Sequence, residues 1–127
     1  MYWGSHEPPR ELAKRLGENM RALHAGQRVD HLVKANVKLF CNSVAHDAAL
    51  LERDLRAGRV NMGQYRDRIQ ELRDMSQYIS SALMDVEEKR GEDPVYSNLQ
   101  LQLESKAAQL ERLLAEPPKK SRWRLRI

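Results

Sequence analysis

Apolar side chains recur at steps of three and four along most of the chain, with polar residues filling the intervals. This is the repeat of an amphipathic α-helix and not the alternation of a strand. The first stretch begins near Pro9, since proline is tolerated at a first helical position, and carries Leu12, Leu16, Met20 and Leu23 on one face. It stops around Gly26. The second runs from Val29 to Leu55 through Val33, Val37, Phe40, Val44, Ala48 and Leu51, and Gly58 ends it. Its valines favour strands in isolation, but their spacing is helical. A patchier second stripe of Leu32, Leu39 and Leu50 implies cover on more than one side.

Asn61, three residues before Gln64, predicts a capping box at the start of a third helix that runs to about Arg90 and is stopped by Gly91. Met62, Tyr65, Ile69, Leu72, Ser76, Ile79, Leu83 and Val86 form its face, a heptad-like line with one small polar break at Ser76. The fourth helix takes Asp93 as N-cap and Pro94 at its first position. Tyr96, Leu99, Leu103, Ala107, Leu110 and Leu114 line it, and Pro117-Pro118 ends it.

The second and third helices have nearly equal lengths, about 43 Å at 1.5 Å per residue, and a short connection. They predict a central antiparallel hairpin along which the fourth helix returns. The three stripes do not share one period, so they do not share one supercoil. The fold class expected is all-α: an antiparallel bundle of three long helices plus a shorter N-terminal one. Domain boundaries are expected as a flexible segment over 1–8, the bundle over 9–116 and a basic tail over 117–127.

Composition supports this reading, because Ala, Glu, Lys, Leu and Arg make up about half of the 127 residues. Charge changes the picture. The formal net charge is +4, yet Lys119, Lys120, Arg122, Arg124 and Arg126 all lie in the last nine residues. Removing those five leaves 17 basic against 18 acidic groups, so the body is near neutral and argues against a dedicated nucleic-acid-binding face. The lone Cys41 suits a reducing compartment. No apolar run is long enough to span a bilayer, and no apolar leader core follows Tyr2–Arg10, so a cytoplasmic location is expected.

Catalytic readings find little support. His6, His24, His31 and His46 are scattered without metal-ligand spacing, Cys41 has no identifiable base, and no Gly-rich phosphate loop follows a strand. No metal and no cofactor is expected. Arg53, Arg56, Arg59, Arg66, Arg68 and Arg73 are interleaved with Asp54, Asp67, Glu71 and Asp74, which reads as a salt-bridged solvent face.

The two ends differ from the body. Both tryptophans, Trp3 and Trp123, fall outside the predicted helices. In Arg122-Trp123-Arg124-Leu125-Arg126-Ile127 polar and apolar residues alternate, so an extended segment would put Trp123, Leu125 and Ile127 on one face and three arginines on the other. Such a segment could add to a partner's sheet edge, fold back on its own bundle or a twin, or lie on nucleic acid or anionic lipid. The stiff Pro117-Pro118 spacer favours the partner.

The function expected is therefore that of a non-enzymatic adaptor, chaperone or inhibitor that binds another protein, with a homodimer as one allowed assembly. The alternative is a nucleic-acid-associated accessory protein that uses the tail as a polybasic arm. Expected partner-binding residues are Arg122 to Ile127 of the tail, Trp3, and Leu101 and Leu113 off the main stripe of the fourth helix, with Leu32 and Leu39 as further surface candidates.

Overall fold

The computed structural model describes residues 7–91 and 93–118. They form four α-helices, and no strand occurs among the described residues: α1 (Pro9–His24), α2 (Asp30–Arg56), α3 (Met62–Arg90) and α4 (Pro94–Ala115). The ends follow local chemistry. Pro9 and Pro94 open α1 and α4, where the missing N–H has no helical partner to lose. The Asp93 side chain accepts from the Val95 N–H at 2.9 Å. At α3 the capping box is complete: Asn61 Oδ1 accepts from the Gln64 N–H at 2.8 Å, and Gln64 Oε1 accepts from the Asn61 N–H at 2.9 Å.

Two glycines are needed for their backbone. Gly26 (φ +90°) and Gly58 (φ +77°) each close a Schellman motif. In the second, the Arg59 N–H donates to the Asp54 carbonyl at 2.8 Å and the Gly58 N–H to the Leu55 carbonyl at 3.1 Å.

The buried face of each helix is the apolar line read from its spacing, except at Met62, which is exposed, and Leu114, which is half-buried. Leu12, Leu16, Met20 and Leu23 of α1 meet Val33, Val37, Phe40 and Val44 of α2 in one core. Tyr65, Ile69, Leu72, Ile79, Leu83 and Val86 of α3 and Tyr96, Leu99, Leu103 and Leu110 of α4 complete it. Ser76 is fully buried and donates to the Leu72 carbonyl at 2.9 Å, so the polar break in the α3 line is satisfied within its own helix.

Cross-helix bonds give the directions. On α1 and α2, Asn36 Nδ2 donates to Asn19 Oδ1 at 2.7 Å, and Ser43 Oγ donates to the Glu7 carbonyl at 2.6 Å, so the two run antiparallel. Ser97 Oγ donates to Glu87 at 3.0 Å and Gln77 to Glu111 at 3.3 Å, making α3 and α4 antiparallel as well. Asp30 meets Tyr96 at one end, and the Val44–Glu52 stretch meets Lys106–Leu113 further on, so α2 and α4 are parallel.

The more extensive pairings are α3 with α4 and α1 with α2, while the backbones of α1 and α4 do not come together. The expected α2–α3 hairpin is thus not the principal pairing. The molecule is two antiparallel hairpins laid side by side, with α2 and α3 meeting across the core. The reason lies on the flanks of α2: Asn36 and Ser43 bond to the α1 side, and Ala45 and Ala48 face α4, leaving only the central line for α3.

Candidate partner-binding surfaces

One end of the bundle gathers the end of α2, the start of α3 and the end of α4. Leu55, Val60, Met62, Pro117 and Pro118 supply apolar walls to an open cavity of about 770 Å³, and Arg59, Asn61, Gln64 and Arg66 supply its polar part. Asp54 holds the Arg59 guanidinium at 2.9 Å. Arg56 lies 3.8 Å from Glu52 and Arg53 3.9 Å from Asp54, so much of the arginine run is paired, though at exposed sites where a pair adds little stability. The last described residue, Pro118, is itself a wall of this cavity.

The described chain begins on the same half of the molecule. The Glu7 carbonyl is held by Ser43, and its carboxylate pairs with Arg15, which keeps that carboxyl below its usual range. Pro8, Pro9 and Arg10 then form a cleft of about 280 Å³ with Asp47, Arg68, Leu72 and Met75. Arg10 pairs across it with Glu71.

A third concavity lies between α2 and α4. Its volume is about 350 Å³; Val44, Ala45, Ala48, Ala49, Leu110 and Leu113 make it apolar, and Glu52, Lys106, Gln109 and Arg112 rim it. It exists because three alanines on α2 stop short of α4. The sequence marks those alanines only as helix formers, and their role emerges once α4 lies beside them.

The structure separates the expected binding residues. Leu101 points away from the core and is 63 % exposed. Leu113 corrects the expectation of a free surface residue: it is half-buried, packs on the core and forms a wall of the α2–α4 groove. The two lie twelve residues apart, about 120° around the helix, so they share no face. Leu32 and Leu39 are exposed on the α1 side of α2. Trp3, Arg122, Trp123, Arg124, Leu125, Arg126 and Ile127 lie outside the described residues.

At the far end of the bundle sits a polar cluster that periodicity did not reveal. The Tyr96 hydroxyl donates to Asp30 Oδ1 at 2.5 Å, and Arg90 lies 3.8 Å from the same oxygen. The hydroxyl and the guanidinium hold the Asp30 carboxyl below its ordinary range. Burial and that carboxylate push the Tyr96 phenol up. The cluster ties α2, α3 and α4 together, and it faces no cavity described above.

Cys41 is buried, and burial raises its thiol pKa, which works against nucleophilicity. Among the described residues, no three His, Cys, Asp or Glu side chains come together as a metal site, and no helix is long and apolar enough to cross a membrane. Comparison of the chain with protein-family models, with curated proteins and with solved structures finds no match.

Proposed function

We propose that the protein is a non-enzymatic binding module (an adaptor, chaperone or inhibitor) that engages a protein partner with the turn end of its bundle and residues 119–127. One observation carries this reading: Pro117 and Pro118 wall an apolar cavity that also holds Arg59 and Arg66. In the sequence, residues 119–127, with the alternating Trp123, Leu125 and Ile127, come next after Pro118. A partner strand or helix with apolar anchors and acidic flanks would match both parts. Burial of the anchors would supply the affinity, and the arginines would speed and orient the encounter. The lone, buried Cys41 suits a reducing compartment, and a cytoplasmic location is part of the proposal.

The test is deletion of residues 119–127. Partner capture from the source cells should fall at least about tenfold, a loss of roughly 1.4 kcal/mol or more. Helical circular dichroism and the melting temperature should stay nearly unchanged. Undiminished capture, or a collapse of stability, would remove the proposal.

A second reading has its own support, because Arg59 and Arg66 share a cavity with Pro117 and Pro118, and five further cations follow in the sequence. A polybasic arm on nucleic acid would bind duplex or single-stranded DNA with steep salt dependence. It would lose that binding when Arg122, Arg124 and Arg126 are neutralised together.

A further inference from the structure

Tyr78 is 65 % exposed, more than any other large apolar side chain among the described residues. It is not alone on its face. Asp67, Asp74, Tyr78, Ser81, Asp85 and Glu88 follow one another at steps of seven, four, three, four and three, so they fall on one line down the back of α3. All are exposed, and the line lies opposite the buried Tyr65–Val86 line. It holds four carboxylates and no cation. The nearby arginines stand on its flanks: Arg73 reaches Asp74 at 3.1 Å and Glu111 at 3.9 Å, Arg66 walls the turn cavity, and Arg68 walls the cleft beside Pro8.

The α2–α4 groove has the opposite character. Its apolar floor is bordered by Lys106 and Arg112 on α4, and Lys34 and Lys38 continue the same side of α2. None of these four cations makes an ion pair with a described residue. Among the described residues Glu52 is the one carboxylate lining the groove, and it is shared with Arg56 at 3.8 Å. Alanines at 45, 48 and 49 leave room for a helix to approach closely and for one large side chain to enter.

We infer that a second copy of this chain docks in the α2–α4 groove, laying the acidic back of its α3 along the basic rim, with Tyr78 of the partner subunit inserted beside Ala45, Ala48 and Ala49. Lengths agree: the acidic line spans about 32 Å and the groove side of α2 from Lys34 to Glu52 about 27 Å, at 1.5 Å per residue. Pairing groove to groove would bring Lys38, Lys106 and Arg112 against their own copies, and pairing stripe to stripe would oppose carboxylates. Like charges thus exclude both like-to-like pairings. Because the back of α3 faces away from α2 across the core, one neighbour does not take both faces at once. The contact is heterologous and propagates into a ring or an open chain. No residue of this contact lies in 119–127, so it stands apart from the proposed partner site and survives removal of that segment.

Sedimentation equilibrium of the full chain tests it. The average mass should rise with concentration above the 14.8 kDa of one chain and return to it at about 0.5 M salt, where screening shortens the reach of surface charge. Tyr78→Ala removes the inserted side chain, and Ala45→Glu places a carboxylate in the groove. Each variant should remain at one-chain mass where the parent associates, with unchanged helical circular dichroism. An equimolar mixture of the two should form a species of two subunits and no larger, because each supplies the half that the other lacks. Asp74→Lys/Asp85→Lys, at exposed positions, should behave like Tyr78→Ala. A parent chain that stays at one-chain mass at every concentration overturns the inference. So do variants that assemble as the parent does, or a mixture that fails to pair.

Discussion

Two tyrosines show how much a single oxygen atom matters in this core. Tyr65 and Tyr96 are both buried, but the Tyr96 hydroxyl donates to Asp30, while the Tyr65 hydroxyl has no hydrogen-bond partner among the described residues. A buried hydroxyl without a partner has lost its water and gained nothing in return. Tyr65→Phe is therefore expected to raise unfolding free energy by about 1 kcal/mol. Tyr96→Phe is expected to lower it by about 1–2 kcal/mol, since it removes a bond to a charged acceptor. Urea unfolding at pH 7 measures both, and equal effects of the two substitutions would show that the Asp30 bond adds nothing to stability.

The helices themselves were legible because their signals are local. Seven successive face positions of α3, from Tyr65 to Val86, are buried as their spacing implies, and the Asn61–Gln64 box is present atom for atom. Met62, read as part of the same face, is exposed instead, because the first residue of α3 lies beyond the core and walls the end cavity. Leu114 is half-buried for a similar reason, one residue before α4 ends. Removal of the capping side chain by Asn61→Ala should cost about 1 kcal/mol, read as a lower thermal midpoint with the helix content of the folded state preserved. A midpoint unchanged within error would mean that water satisfies those N–H groups equally well.

At the scale of the whole molecule, titration of buried phenols couples the ends of the bundle to pH. Burial, with Glu52 nearby, pushes the Tyr65 phenol up to about 12, and the Tyr96 phenol is raised too. The folded state therefore keeps protons that the unfolded chain releases near pH 10. Stability from these groups is complete below about pH 10 and is lost as pH climbs through the folded values. Asp30 works the other way: its carboxyl is lowered, so its contribution holds above the ordinary carboxylate range and fades as pH falls through the folded value. Urea midpoints should drop between about pH 10 and 12, and less so in a Tyr65→Phe/Tyr96→Phe chain. An identical drop in that chain would assign the alkaline loss to other groups.

Helical periodicity, caps and terminators are properties of neighbours in the chain, so four helices and their buried lines followed from the residues alone. Which helix packs on which is a property of flanks, and flanks are chosen only when two faces meet. Equal lengths and a short turn pointed to α2 against α3, yet the Asn36–Asn19 bond, the Ser43–Glu7 bond and the row of alanines at 45, 48 and 49 give α2 to α1 and α4. The candidate surfaces divide in the same way. The alternating, cationic residues 122–127 are visible as text, whereas the cavity at Pro117-Pro118 and the groove beside Lys106 exist only because separate helices leave space between them.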